Sequence, residues 1–544
     1  MGGEGRAGRE GGAGPEVGGP ARDRILLSFD GPELSSAAAE DLARRATGVT
    51  LYRHLNVRSA AQVRALTDTL QAAAARLGLA PLIVAADHET GQLHALGVDA
   101  TPFAGAMATG ATGDAALAEE VARAIGTELR AMGINLVYGP DCDLATNPRN
   151  LVVGIRSFGD DPAAAGRLAA ATVRGLQAAG VAAAAKHFPG HGDPTGDSHL
   201  GLAVIERSAE ELRARELVPF EAAIAAGARV AMAGHLAVPA LTGRRDVPAT
   251  VAPEVLRTLL RGDLGFGGLT VSDALDMGGI AGEDGAGVDV SAALGAGIDL
   301  LLCGPDPAAQ ARVEAGLGAA LAGDRIDRRE AEGSGARVSD LRTWLAGFAQ
   351  PSIDAVGSDG HRVLAAELAA RSITVVRDRD RLVPVARDIG RVLVIEPRPR
   401  DLTPADTTSL LAPGGLAEAI RTRHPATDGV VLEAGISDDA VASLRDRATG
   451  ADLVVLGTVD ALGQPAMAAL ARALVATGTR VIAVALRGPW DADAYPEVGT
   501  VLATYGIQPP SLAALVAVLW GEASVTGLLP VTLGQSPAEP RSTN

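Results

Sequence analysis

The segment VAAAAKHFPGHGDPTGDSH, residues 181–199, joins a short apolar run to a loop rich in glycine, proline and histidine. The apolar part, 181–186, has the length and composition of a buried β-strand and ends in a lysine. The proline and glycine residues that follow favour a loop over a helix. A buried strand that ends in polar side chains is typical of the functional rim of a parallel α/β barrel.

The same pattern recurs through the first 340 residues. Apolar runs of β type alternate with longer stretches of helical periodicity, which is the signature of a parallel α/β fold. Eight such runs are found, at 25–29, 49–53, 82–87, 134–138, 181–186, 229–234, 269–273 and 298–303. Eight strands with interleaved helices over this length predict a (β/α)8 barrel of the TIM type.

A second alternating series follows a stretch that carries Pro, Gly and Ser. Its apolar runs suit a sheet that is buried on both faces, and they lie at 372–377, 391–397, 429–434, 451–458, 480–486 and 500–505. We predict four parts: a flexible N-terminal tail (1–22), the barrel (23–340), a linker (341–360) and a smaller C-terminal α/β sandwich domain (361–544).

Composition excludes several classes of protein. The 544 residues include 48 Lys or Arg and 65 Asp or Glu, and the net charge of −17 argues against a nucleic-acid binder. Two distant cysteines, Cys142 and Cys303, cannot form a disulfide framework or a Cys-based zinc site. Neither a membrane span nor the apolar centre of a secretory signal is found. We therefore expect a soluble, cytoplasmic protein, and the sequence leaves its oligomeric state open.

Rare polar residues collect where the predicted barrel strands end. Asp87 ends the third strand, Lys186 and His187 end the fifth, His235 follows the sixth, and Asp273 ends the seventh. Seven of the nine histidines lie just after one of four strands: His54, His88, His94, His187, His191, His199 and His235. This placement predicts a functional site at the carboxyl rim of the barrel.

The loop after the fifth strand admits three interpretations. Its three histidines and two aspartates suit a metal site, because imidazole and carboxylate are good zinc ligands. In a metal-free site, Lys186 and one histidine would bind substrate while Asp197 orients His199 for proton transfer. The loop's own hydrogen bonds could also account for its composition. Asp273 is similarly either a helix N-cap or a carboxylate presented to the rim.

Three motifs resemble glycoside hydrolase family 3, in its β-N-acetylglucosaminidase branch. They are Lys186-His187-Phe188-Pro189-Gly190-His191-Gly192-Asp193, then Asp197-Ser198-His199, then Ser272-Asp273-Ala274-Leu275-Asp276-Met277. Further similarity covers 134–136, 147–148, 154–159, 247–250 and 264–266 and, more weakly, 371–375 and 527–532. The third-strand motif departs from the family's usual Asp-Gln-Glu-Gly-Gly, because this chain has His88 and Thr90.

The resemblance implies an exo-acting, retaining β-N-acetylglucosaminidase. Asp273 would be the nucleophile, His199 the acid/base, and Asp197 the residue that orients His199. The substrate-binding residues would be Asp87, Arg156, Lys186 and His187. It implies no metal and no other cofactor. The expected partner is a carbohydrate, a muropeptide or chito-oligosaccharide with a terminal β-linked GlcNAc, and peptidoglycan recycling is the expected process.

Other functions remain open at this stage. A phosphorylase could use the same scaffold, because a histidine acid/base repels incoming phosphate less than a second carboxylate would. A metal-dependent barrel hydrolase and a non-catalytic sugar-binding protein are alternatives from different classes. One compositional feature favours a site at the fifth strand: 47 of the 48 basic residues are Arg, and the single lysine is Lys186.

Overall fold

The computed structural model describes residues 21–97, 99–194, 201–276, 289–323, 328–433 and 435–534. Most of the predicted tail, together with Asp197 and His199, lies outside these ranges. The described strands are β1 Ile25–Leu27, β2 Gly48–Leu51, β3 Ile83–Ala86, β4 Leu136–Val137, β5 Ala182–Phe188, β6 Ala203–Val204, β7 Val230–Ala233, β8 Leu236–Ala237, β9 Leu269–Ser272, β10 Leu301–Leu302, β11 Thr374–Asp378, β12 Val392–Pro397, β13 Thr427–Leu432, β14 Leu453–Thr458, β15 Arg480–Ala485 and β16 Thr500–Ala503.

Eight parallel strands form a barrel, as the sequence predicts. Their order is β10-β1-β2-β3-β4-β5-β7-β9, and a parallel bridge between Val271 and Leu300 joins the two ends of this sheet. Each of the eight predicted runs contains or overlaps one of these strands. The short strands β6 and β8 pair separately, beside the rim.

Alternation along the barrel strands separates an inner core from an outer one. Every second residue, such as Ala182 and Ala184 in β5, belongs to a cluster inside the barrel. The residues between them, such as Ala183 and Ala185, pack outward against the surrounding helices. This period of two is the ordinary consequence of strand geometry.

Helices surround both sheets. They are α1 Ser36–Arg45, α2 Arg53–Asn56, α3 Ala60–Arg76, α4 Ala106–Thr112, α5 Ala115–Ala131, α6 Pro162–Ala178, α7 Ala209–Glu211, α8 Val218–Ala225, α9 Pro239–Thr242, α10 Val290–Ala296, α11 Pro307–Ala322, α12 Arg328–Ala346, α13 Asp359–Ser372, α14 Gly415–Arg423, α15 Asp438–Thr449, α16 Pro465–Val475, α17 Asp491–Ala494 and α18 Pro509–Leu519. Two wider helical segments span Leu212–Glu216 and Glu254–Asp263. None of the described helices combines the length and the apolar character that crossing a membrane requires.

The C-terminal part is a separate α/β layer structure. Its six-stranded sheet has the order β11-β16-β15-β14-β12-β13 and is parallel except for β11. Distinct apolar cores cover its two faces, which confirms the prediction of a sheet buried on both sides.

A buried carboxylate connects the barrel to the C-terminal part. Glu128 on α5 accepts hydrogen bonds from the hydroxyl and the backbone N–H of Thr101, from the backbone N–H of Gly357, and from the ring of His361 on α13. Glu128 is 3% exposed. One side chain therefore satisfies polar groups on both sides of the junction.

We expect Glu128→Ala to lower the free energy of unfolding by about 3 kcal/mol, because it leaves several buried donors without an acceptor. Urea titration followed by circular dichroism measures this change. Glu120→Ala, at an exposed position on the same helix, is the matched control and should change stability by less than about 0.5 kcal/mol. Equal effects of the two substitutions would contradict this account of Glu128.

Candidate active site

A cavity of about 960 Å³ opens at the carboxyl rim of the barrel. Five residues that the sequence predicts for the site line it: Asp87, Arg156, Lys186, His187 and Asp273. The structure therefore brings together every described member of the predicted set. Asp197 and His199 are outside the described residues, so their positions stay a prediction.

The strand register explains why three of these side chains meet. Asp87, Lys186 and Asp273 continue the inward-facing alternation of β3, β5 and β9, two residues beyond Ala85, Ala184 and Val271 of the inner core. Inward-facing residues at the carboxyl end of barrel strands converge above the core. The apolar side chains of Tyr138, Met232 and Leu302 form the floor beneath them.

Glu89 holds the two principal cations of the site. Its carboxylate accepts two hydrogen bonds of 2.8 Å from Arg156, through Nε and Nη2, and forms an ion pair with Nζ of Lys186. Nζ of Lys186 also lies 2.5 Å from Oδ1 of Asp87. Burial opposes ionisation of Glu89, but the charges of Arg156 and Lys186 outweigh it and lower the pKa of Glu89. Burial lowers the pKa of Lys186, but the charges of Asp87 and Glu89 outweigh it, so the pKa is raised overall.

Asp143 fixes the orientation of His187. Oδ2 of Asp143 lies 2.7 Å from Nδ1 of His187, and Oδ1 accepts the backbone N–H groups of His187 and His191. Burial and the positive charge of Arg156 lower the pKa of His187 to about 4, so its imidazole is neutral at pH 7. With the Nδ1 proton directed at Asp143, Nε2 of His187 is an acceptor and lies 3.4 Å from Nη2 of Arg156.

One described cluster has the donor atoms of a metal site, namely Asp141, Asp143 and His187. Each of its members has a partner within the described protein. Arg156 lies 3.6 Å from Asp141, and the ring of His187 is hydrogen-bonded to Asp143. Burial and the neighbouring Asp143 raise the pKa of Asp141, which favours its uncharged form. Of these three residues, only His187 belongs to the segment 186–199, whose histidines and aspartates suggested a metal site in the sequence.

The loop after β5 is pressed against the loop after β4. A Cβ atom at Gly192 would collide with the carbonyl oxygen of Leu144, so only glycine allows this approach. Asn147 and Asn150 donate to the carbonyl oxygens of Asp193 and His191. The segment that leads toward Asp197 and His199 therefore starts from a well-anchored point on the rim.

The C-terminal domain supplies one wall of the cavity, a contribution that the sequence analysis did not assign. Residues of the loop after β12 line it: Asp401, Pro404, Ala405, Asp406, Thr407, Ser409 and Leu410. Thr407 docks this loop on the barrel, because its N–H and hydroxyl donate to Gln92 and its oxygen accepts from the N–H of His94. Arg487 forms a buried ion pair with Asp406 behind the loop.

Two further residues from the sequence analysis have structural partners. His235 is fully buried, and its ring contacts the hydroxyl of Thr250 and the carbonyl oxygen of Ala274, next to Asp273. It therefore supports the rim. Thr90 has φ +67°, the left-handed conformation that glycine favours, so the altered motif retains the backbone of the usual Gly.

Sequence reasoning missed Glu89 and Asp143 as functional candidates. Glu89 lies two residues after the third predicted run, so the rule that located Asp87 and Lys186 could have included it. Asp143 lies five residues after the end of the fourth run, so that rule does not reach it.

Glu216 is a buried carboxyl group beside the loop after β5. It is 1% exposed, neither of its oxygens has a hydrogen-bond partner, and its side chain packs against Gly190. Burial raises its pKa to about 7, although Arg207 acts in the opposite direction. The folded state therefore holds this proton more tightly than the unfolded state does.

Because its pKa is raised, Glu216 stabilises the fold less as the pH increases. We expect ionisation of Glu216 to lower the free energy of unfolding increasingly between pH 4.5 and 7, and by about 3 kcal/mol at pH 8. Urea unfolding at pH 5 and pH 8 should show that Glu216→Gln removes much of the wild-type loss of stability over this range. Glu210→Gln, at an exposed neighbouring position, should leave that loss unchanged. A wild-type loss that persists in Glu216→Gln would contradict the assignment.

Comparison with known proteins agrees with this architecture. Residues 25–341 match the glycosyl hydrolase family 3 N-terminal domain. Beta-hexosaminidase A of Pseudoalteromonas piscicida is 31% identical over 94% of this chain and 92% of its own length. A beta-N-acetylglucosaminidase/beta-glucosidase of Cellulomonas fimi is 33% identical over 88% of this chain and 87% of its own length.

A solved structure is similar over almost the whole chain. It is a glycoside hydrolase family 3 beta-N-acetylglucosaminidase from Paenibacillus sp. str. FPU-7, with a TM-score of 0.88 and 33% sequence identity over 96% of this chain and 99% of that one. The barrel, the second domain and the family match over 25–341 agree with one another. The chain is a glycoside hydrolase and belongs to glycosyl hydrolase family 3.

Proposed function

We propose that the protein is a retaining exo-β-N-acetylglucosaminidase that removes terminal β-linked GlcNAc. One observation carries the proposal: Asp87, Lys186 and Asp273 converge from three barrel strands on one cavity of about 960 Å³. The beta-hexosaminidase and beta-N-acetylglucosaminidase relatives support this choice of sugar. Muropeptides or chito-oligosaccharides as substrates, peptidoglycan recycling as the process and a cytoplasmic location are parts of the proposal that rest on the sequence.

In this proposal Asp273 attacks the anomeric carbon and forms a covalent glycosyl-enzyme. One oxygen of its carboxylate accepts the N–H of Ala274 at 2.8 Å, which holds the side chain at the strand end. His199 protonates the leaving oxygen and later deprotonates water, while Asp197 orients its ring. A histidine with a pKa near the usual value of about 6.5 can serve in both half-reactions at neutral pH.

Asp87, Arg156, Lys186 and His187 would bind the sugar hydroxyls. Asp87 is about one-third exposed although it is paired with Lys186, so it can accept from a hydroxyl while keeping its ion pair. Nε2 of the neutral His187 lies 3.4 Å from Nη2 of Arg156, and a sugar hydroxyl that donates to Nε2 would replace this long contact. Since Glu89 and Asp143 fix these groups from below, substrate would meet a preorganised set of polar atoms.

A phosphorylase is the second candidate, and one observation favours it. Arg53 and Arg58 line the same cavity, and among the described residues neither forms an ion pair with a carboxylate. Phosphate could then replace water in the second half-reaction.

The primary test is an assay of 4-nitrophenyl β-GlcNAc and 4-nitrophenyl β-glucoside with and without phosphate. We expect GlcNAc release with retained anomeric configuration by NMR and a loss of at least about 1,000-fold in kcat for Asp273→Asn. Asp263→Asn, at an exposed position, is the control. An inverted product would exclude the retaining mechanism, and sugar 1-phosphate as the main product would identify a phosphorylase.

Lys186→Arg tests the buried ammonium. Although charge is conserved, we expect kcat/KM to fall about 100-fold, because a planar guanidinium cannot fit between Asp87 and Glu89 in the space of a compact ammonium. Arg328→Lys, at a side chain 92% exposed, controls for a conservative exchange of cations. Activity of Lys186→Arg near that of wild type would argue against this role.

A further inference from the structure

Two arginines in the cavity wall lie close together, and no carboxylate of the described residues forms an ion pair with either of them. Arg53 begins α2 directly after β2, and Arg58 follows the same helix. Nη1 of Arg53 and Nη1 of Arg58 donate to the same acceptor, the carbonyl oxygen of Val57, at 2.9 and 3.1 Å. The shared acceptor brings two positive charges side by side.

The two positive charges are close enough to interact. Burial and, after it, the positive charge of Arg58 lower the pKa of Arg53. Nε of Arg53 is buried and has no hydrogen-bond partner. Other cations at this cavity are neutralised: Arg156 and Lys186 share Glu89. Arg53 is only partly exposed, whereas Arg58 lies at the exposed edge of the cavity.

The acidic residues of the cavity are engaged elsewhere or lie beyond ion-pair distance of both arginines. Asp87 pairs with Lys186, and Asp406 pairs with Arg487. Asp401 accepts hydrogen bonds from Ser409, and Asp276 packs against Gly304. The donors of Arg53 and Arg58 therefore remain available to a ligand in the cavity.

Guanidinium groups bind carboxylate and phosphate oxygens in a forked geometry, and an anion between two of them removes their mutual repulsion. We propose that Arg53 and Arg58 form an oxyanion-binding site of the catalytic cavity. This inference rests on the proposed function and specifies its substrate class. The oxyanion is either a carboxylate on the substrate's leaving group or free inorganic phosphate that acts as the acceptor.

The phosphate case requires a balanced transfer step. A phosphate oxygen attacks the anomeric carbon of the glycosyl-enzyme, the bond from that carbon to the Asp273 carboxylate breaks, and the electron pair returns to the carboxylate. The attacking phosphate hydroxyl gives its proton to the general base, and the product is a sugar 1-phosphate. In the carboxylate case water is the acceptor and the arginines act on binding of the leaving group.

The test compares the wild type, the double variant Arg53→Gln/Arg58→Gln and the control Arg312→Gln, which changes an exposed arginine on α11. The substrates are 4-carboxyphenyl β-GlcNAc and its methyl ester, each with and without phosphate. For the carboxylate source, the double variant should lose at least about fivefold more kcat/KM on the carboxylate than on the ester. If phosphate is the source, it should accelerate turnover by the wild type and yield sugar 1-phosphate. The double variant should then need at least about tenfold more phosphate for the same acceleration.

Thermal unfolding with inorganic phosphate supplies a readout that does not depend on catalysis. If phosphate is the source, it should raise the Tm of the wild type and of Arg312→Gln but not that of the double variant. Equal losses on both substrates, together with no difference in phosphate response, would overturn the inference. Inactivity of the wild type on both glycosides would instead reject the proposed sugar specificity, and phosphate-dependent stabilisation would then still decide whether the two arginines bind an oxyanion.

Discussion

The interaction on which the site depends is the buried carboxylate of Glu89 between Arg156 and Lys186. Two cations at the end of a barrel would be expensive to bury alone, and one shared counter-charge makes their burial possible. It also fixes their separation, since Arg156 binds both oxygens of Glu89 and Lys186 pairs with one of them. Asp87 and the ring of His187 are then placed relative to those cations. The sugar-binding surface in our proposal is therefore one charge-balanced unit.

The barrel and much of the site follow from local sequence patterns. Period-two alternation predicts that Asp87, Lys186 and Asp273 face inward, because each continues the register of a buried strand. The number of strands and their order of appearance along the chain were predictable for the same reason. The role of Glu89 was not predictable, because it is a counter-ion to Arg156, which lies 67 residues away in the chain. Strand periodicity predicts the side of the strand on which a residue lies, but not the residues that it contacts.

The C-terminal wall of the cavity shows more clearly what local sequence patterns cannot predict. Thr407 contacts Gln92 and His94 across more than 300 residues of sequence, and no local pattern marks 401–410 as part of a site. Its position depends on the packing of two domains through Glu128 and an apolar interface around Phe103, Leu368 and Tyr505. The second domain is therefore a structural part of the rim cavity. The arginine pair was likewise hidden, because a missing counter-charge is visible only in three dimensions.

The burial of the single lysine has a practical consequence for the chemistry of the whole molecule. Since Lys186 is 1% exposed, the folded chain presents no lysine amine on its surface to acylating reagents or to enzymes that attach modifiers to lysine. The other 47 basic side chains are arginines, and their protonated guanidinium groups are poor nucleophiles toward such reagents. A reagent can approach Lys186 only through the cavity at the barrel rim, where the ammonium is already paired with Asp87 and Glu89. The one lysine of the chain therefore reports on access to this cavity rather than on the outer surface of the fold.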